Sequence, residues 1–251
     1  RIELAGLGEA RELAPDPTRL YRELERENVA LPPPGEARRN WHEVAAELAE
    51  HEQVLCIVNR RDNAAELWRL LPSGTLHLSA RMCGAHRAEV IAGIRVRLAA
   101  GEPVRVVSTQ LVEAGVDLDF PVVYRAMAGL DSIAQAAGRC IREGNLPDKG
   151  RVVVFNPPKP SPSGLLRKAE DAAINVLASS SGEPLALDNF RRFFDHFYSS
   201  VNSHDREGVM DLLGRDAVRG EIQFRTAAQK FRLIADEGQR PVFVRWGDGA
   251  S

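Results

Sequence analysis

Three long polar side chains, Gln135, Arg139 and Arg142, recur at i, i+4 and i+7 within DSIAQAAGRCIREG, residues 131–144. At 3.6 residues per turn this spacing projects all three from one face of a helix. Two guanidiniums three residues apart repel by roughly a few tenths of a kcal/mol. An anion lying between them reverses that sign, and their forked donors match the oxygens of a transferring phosphoryl group. An arginine supplied from a second domain stabilises the charge that develops in such a transfer. Asp131 or Ser132 is placed to cap the helix. Gly138 falls mid-helix at a cost of about 1 kcal/mol relative to alanine, so it calls for a reason such as the close approach of another surface. The same two arginines also suit a solvated helix face with Glu143 as partner.

A second segment, VRVVSTQLVEAGVDLDF at residues 104–120, reads as a buried strand running into Ser108 and Thr109. Ligands of open parallel sheets sit beyond the carboxyl ends of the strands, which places Thr109 to offer a hydroxyl and a backbone N–H to a phosphate. A short helical turn is predicted over 110–114. Gly115 then lets the chain bend and a ligand approach the backbone, and Asp117 is placed to accept from a ribose hydroxyl. By itself this stretch is also an ordinary strand–turn–strand connection with Gly115 as punctuation.

The elements that must position these residues form an alternating pattern. Apolar, β-branched runs predict strands at 54–58, 75–78, 104–108, 122–124 and 151–155. Amphipathic stretches predict helices over 62–71 and 86–100. Strand alternating with helix argues for an α/β fold with a doubly wound parallel sheet. The proline-rich stretch NPPKPSPSG, residues 156–164, reads as an extended linker. Helices are predicted beyond it at 165–178, 189–199 and 223–234, with a short strand at 241–246. Before residue 40, edge strands or a lead-in helix are expected. The domain reading is a lead-in segment at 1–40, the sheet domain at 41–157, and a linker helix with a small accessory region at 158–251.

Composition sets bounds on function. The chain has 251 residues, 44% of them hydrophobic, and a formal net charge of −2. No bulk positive field draws nucleic acid to the whole surface, so any such contact is a local strip. Cys56, Cys83 and Cys140 lie far apart and read as small buried hydrophobes of a reducing cytosol. No apolar run is long enough to cross a bilayer. The start at Arg1, without Met or an apolar signal core, reads as a piece of a longer cytoplasmic protein.

Here a resemblance becomes specific. Q-x-x-G-R-x-x-R, filled by Gln135, Gly138, Arg139 and Arg142, resembles motif VI of superfamily 2 helicases. STQLVEAGVD resembles their motif V, and CIVNRR their motif IV. The longer string STQLVEAGVDLDFPVVYRAMAGLDSIAQAAGRC is similar to the CRISPR-associated helicase–nuclease of type I interference, the enzyme recruited by the Cascade complex. HLSARMC with His86 and Arg87 fits the same family, as do FRTAAQKFRLI and RPVFVRW near the end. The resemblance implies a second RecA-like domain with a small, mostly helical C-terminal appendage. It implies ATP- and Mg2+-dependent translocation along single-stranded DNA, coupled to an N-terminal metal-dependent HD nuclease domain. By position, Arg139 and Arg142 would be arginine fingers, with Gln135 oriented near the same phosphates. Gly115 and Asp117 would contact nucleotide. Thr109 and Ser79 would grip the DNA backbone, with Arg81, His86 and Arg87 on the same strip, although those three equally suit a solvated loop and helix start. The chain departs from the pattern at Ile141, where Asn is expected, at Gly84, commonly Pro, and at Arg60, where a small polar residue is more usual.

Other features are absent. There is no Gly-Lys dipeptide, hence no Walker A loop, and no acidic D-E-x-D or D-E-x-H box. ATP and Mg2+ would thus need a first RecA-like domain, and this piece alone is expected to be inactive. His204–Asp205 is an HD dipeptide in a polar, loop-like stretch, so no nuclease metal is expected here. Phe190, Phe193, Phe194 and Phe197 could stack bases but recur at core-face spacing. Two other functions fit the sheet and charge: another DExH RNA helicase, or a non-catalytic DNA- or protein-docking module. A dinucleotide oxidoreductase is excluded by the lack of glycine over residues 54–63.

Overall fold

The computed structural model describes residues 13–17, 19–20, 27–113, 116–140, 150–180, 182–201, 205, 207–215, 220, 222–231, 240, 242–243 and 245–247. Within these, six strands form one sheet: β1 (Glu27–Ala30), β2 (Gln53–Val58), β3 (Leu76–Leu78), β4 (Val104–Thr109), β5 (Val122–Ala126) and β6 (Gly150–Phe155). The spatial order is β1-β6-β5-β2-β4-β3, and every neighbouring pair is parallel. This is a RecA-like α/β sheet with helices on both faces.

Alternation along β2 shows why such strands read as continuous apolar runs. Val54, Cys56 and Val58 face one core, with Trp41, Val44, Ala45 and Leu48 of α1 (Trp41–Glu50) and Ala64 and Leu67 of α2 (Arg61–Leu70). Leu55 and Ile57 face the other, with Ile94 of α3 (Gly84–Ala99), Ile133 of α4 (Leu130–Ala137), Ala173 of α5 (Leu165–Ala178) and Phe193 of α6 (Leu187–Ser200). A parallel sheet covered on both faces has no polar side to alternate with.

Helix α1 is not among the predicted elements, although its start carries a capping box. The Asn40 side chain accepts from the Glu43 backbone N–H, and the Glu43 carboxylate accepts from the Asn40 N–H. Strand β1 also pairs with β6 as an edge strand, from within the segment read as a lead-in. The aromatic face of α6 is core as expected. Phe193 is buried and Phe190, Phe194 and Phe197 pack against the same cluster.

Several expectations are corrected. The last helix, α7 (Phe224–Lys230), is shorter than 223–234. The helical turn expected after β4 is present, as a 3-10 turn over Gln110–Val112. The described residues of the expected strand at 241–246 are not in a strand; the indole of Trp246 instead stacks on His86, with ring centroids 3.6 Å apart. Cys83 is only half-buried, at the start of α3. No helix among the described residues is long and apolar enough to cross a membrane.

Candidate functional site

The carboxyl ends of β5, β2, β4 and β3 lie side by side, so the residues that follow them share one edge. Register pairs Leu78 with Ser108 and Val58 with Thr109. Ser79, Asn59, Thr109 and Gln110 therefore emerge together. Ser108 is buried between these strands, its hydroxyl 3.2 Å from the Leu78 carbonyl. Thr109 is half-buried at the tip, while Ser79 is buried and its hydroxyl accepts from the Arg81 backbone N–H at 3.3 Å. Ser79 thus closes a local turn, and Arg81 beyond it is exposed. His86 and Arg87, both half-buried, lie in the first turn of α3. Trp246, besides stacking on His86, donates its indole N–H to Glu89 on the same helix.

The predicted arginine stripe is changed by how α4 ends. The helix stops at Ala137, and Gly138 is its C-cap, not a mid-helix residue. Its φ of −64° is open to any residue, and a Cβ there would meet only the backbone carbonyls of Gln135 and Ala134 at 3.5 and 3.6 Å. Among the described residues no close approach of another surface explains this glycine. The chain leaves the helical path because the Phe120 N–H donates to the Arg139 carbonyl at 2.9 Å, forming the bridge Phe120↔Cys140. Gln135 is exposed on the helix proper, whereas Arg139 lies past its end. Gly129, not Asp131 or Ser132, is the N-cap. A Cβ on Gly129 would come within 2.4 Å of the Asp131 carboxylate and 3.0 Å of Ala169, so here the close approach is real.

Arg139 nonetheless lies at the strand tips. Its Nη2 donates to the carbonyl of Glu113 at 2.8 Å, and Glu113 closes the turn beyond β4. Asp117, exposed in the loop that follows, accepts from Arg95 through its backbone carbonyl. Arg142, Gly115 and Ile141 lie outside the described residues. Thr109 and Ser79 thus stand at adjacent strand tips, with Arg139 held to the turn beyond β4.

Three residues not singled out in the sequence hold this edge from beneath. Arg125 on β5 is wholly buried. Its Nη2 pairs with Glu113 Oε1 at 2.9 Å, and its Nη1 donates to Asn59 Oδ1 at 2.6 Å and to the Ala126 carbonyl at 2.8 Å. Asn59 passes the connection on to the Met127 carbonyl at 2.7 Å. Burial pushes the Glu113 carboxyl above its ordinary value, against the opposing pull of Arg125 and the Ser132 hydroxyl. Burial likewise pulls Arg125 down, with Glu113 the main opposing influence. A signal existed in the sequence: an arginine inside an otherwise apolar strand, VVYRA, needs a buried partner.

Beyond β4 the parallel α/β lobe presents Arg139, held to the Glu113 carbonyl, with Thr109 at the tip of the same strand. The fold is RecA-like, and the order of the motifs resembles that of superfamily 2 helicases. Residues 50–145 match the family described as CRISPR-associated nuclease/helicase Cas3, C-terminal. A 40-residue stretch is 60% identical to the CRISPR-associated nuclease/helicase Cas3 of Haloferax volcanii, 16% of this chain and 4% of that protein. Crystal structures of T. fusca Cas3 share the fold. The ATP form has 18% identity and a TM-score of 0.56, over 85% of this chain and 30% of the other. The ADP form has 19% identity and a TM-score of 0.55, over 81% and 28%. The chain therefore spans under a third of the length of these solved relatives.

Proposed function

We propose that this chain is the second motor lobe of an ATP-dependent DNA translocase and that Arg139, with Arg142, serves as its arginine finger. The observation that carries this reading is the position of the Arg139 guanidinium, anchored to the turn beyond β4. At that edge a nucleotide bound by a neighbouring lobe would meet it. Gln135, exposed on α4, would orient near the same phosphates. Gly115 and Asp117, beyond the same turn, would contact the nucleotide. Among the described residues no three His, Cys, Asp or Glu side chains cluster to hold a metal. In this reading magnesium would be held by the phosphate-loop lobe and the nucleotide phosphates, and would supply neutralisation of charge on the transferring group.

Thr109 and Ser79 at adjacent tips, with Arg81, His86 and Arg87 flanking them, would follow the backbone of single-stranded DNA. In this reading a first RecA-like domain and an HD nuclease domain complete the protein. A Cascade-type complex delivers its DNA in the cytoplasm, and the motor lobe occupies residues 41–157 with the linker helix and accessory region after it. Relatives named for their nucleotide complexes, T. fusca Cas3 with ADP, AMPPNP and ATP, support the nucleotide role. A chain of a CRISPR RNA-guided surveillance complex in a pre-nicking state, at 21% identity and a TM-score of 0.50, supports the partner.

The deciding experiment is single-stranded-DNA-stimulated ATP turnover by the complete enzyme carrying Arg139→Ala or Arg142→Ala. Loss of about 10³–10⁵ in kcat is expected for a finger. Turnover within a few-fold of the parent would remove that role.

A further inference from the structure

We infer that Glu113 and Arg125 are positioning residues for the finger: their buried ion pair fixes the turn whose backbone carbonyl holds the Arg139 guanidinium. The inference rests on the role proposed for Arg139. It assigns to this chain a part of the motor that lies beneath the phosphates rather than on them.

Arg125 stands on β5 between β2 and β6, near the middle of a sheet covered on both faces. Packing does not account for a charge there. An apolar side chain of like volume would fill the space, and replacing a buried pair in that way is often neutral or stabilising. What the guanidinium has, and an apolar group lacks, is reach in several fixed directions. It binds Asn59 at the tip of β2, the Ala126 carbonyl at the tip of β5 and Glu113 in the turn beyond β4. A planar fork that is charged at any physiological pH sets the relative positions of those three tips.

Glu113 is the hinge of the arrangement. Its carboxylate is drawn to Arg125 from below, and its carbonyl accepts from Arg139 Nη2 at 2.8 Å. The hydroxyl of Ser132, in the first turn of α4, stabilises the same carboxylate in its charged form. The turn within motif V and the helix before Arg139 are thus tied to one buried group. Anchoring one end of the Arg139 fork restrains its position. A displacement of the Glu113 backbone therefore moves the fork relative to any phosphate it serves. Misplacement of a catalytic group by about 1 Å costs on the order of 10² in rate, so the pair is expected to act on kcat and not on the resting affinity for nucleotide.

The test is a double-mutant cycle in the complete enzyme, read as ATP turnover with single-stranded DNA saturating. Glu113→Gln keeps the carbonyl and the side-chain shape and removes the charge. It is expected to lower kcat about 10- to 100-fold with KM for ATP within a few-fold. DNA binding without nucleotide should be unchanged. Glu113→Asp, which keeps the charge on a shorter stem, should recover part of the lost rate. In an Arg139→Ala background, Glu113→Gln should add no further loss, because the group through which it acts is gone. The same factor lost in both backgrounds, or full activity in a folded Glu113→Gln enzyme, overturns the inference. Little effect of Arg139→Ala by itself would instead sink the finger reading, so the two failures are distinct. Should Glu113→Gln not fold because Arg125 is left unpaired, the double variant Glu113→Leu/Arg125→Met carries the same cycle with no buried charge. A folded double variant with parental kcat likewise overturns the inference.

Discussion

Arg139 donates from its guanidinium to the backbone carbonyl of Glu113, 26 positions earlier in the chain, at 2.8 Å. This bond places an arginine that follows a helix against a turn that follows a strand. If that position serves phosphoryl transfer, charge alone is insufficient and the fork geometry matters. Arg139→Lys in the complete enzyme should therefore lose most of what Arg139→Ala loses, since an ammonium is a point charge without the planar fork. Steady-state ATP turnover of the two variants side by side measures this; near-parental activity of the lysine variant would show that only charge is required.

The proposed DNA strip makes a salt-dependence prediction. Each cation that neutralises a backbone phosphate contributes a slope of about 0.7 in log K against log salt for single strands. Arg81→Ala and Arg87→Ala should each weaken binding of the complete enzyme to single-stranded DNA and each reduce that slope by about 0.7. Fluorescence anisotropy titrations at several salt concentrations give both quantities. An unchanged slope would take the residue off the strip.

The two glycines that flank α4 should behave oppositely. A Cβ at Gly129 meets the Asp131 carboxylate, Ala169 and Phe193. Gly129→Ala should destabilise by about 1–3 kcal/mol, the usual cost of overpacking a closed site. At Gly138 the backbone angles suit any residue and contacts are ordinary. Gly138→Ala should be neutral or stabilising by up to about 1 kcal/mol through the unfolded state. Urea unfolding of both variants, compared with the parent, separates the cases.

Within α6 the aromatic side chains divide sharply. Phe193 is 1% exposed and stacks on Phe197 at a centroid distance of 5.9 Å, while Tyr198 is 51% exposed. Phe193→Ala should cost about 3–5 kcal/mol, and Tyr198→Ala well under 1 kcal/mol, as is usual for exposed positions. Chemical denaturation midpoints test this directly.

A pH effect follows from His77 on β3. Its imidazole lies against Trp68 at 6.1 Å, and burial holds its pKa below the ordinary 6.5. The unfolded chain therefore takes the proton first as pH falls. The stability that neutral His77 contributes is complete above about pH 6.5 and is lost as pH drops through the lower folded value. Stability of the parent should decline on acidification from pH 7.5 to 5. His77→Phe should flatten part of that decline, leaving the share of His51, whose pKa burial and Arg151 also lower. Equal slopes in parent and variant would count against this assignment.

Much of the fold was legible in residues alone. The five strands first read from apolar runs are all present, because a strand buried on both faces must be apolar at every position. Helix α5 falls where its periodicity placed it, at Leu165–Ala178. Motif spacing likewise pointed to the lobe. Tertiary structure alone decided the rest. Local spacing could not show that α4 ends at Ala137, because the Phe120↔Cys140 bridge that draws the chain away joins segments about twenty positions apart. Nor could it pair Arg125 with Glu113, since a side chain's partner across a sheet is set by strand order. The sequence by itself determined which polar groups the edge of this lobe carries; the long-range pairing of strands decided where each of them stands.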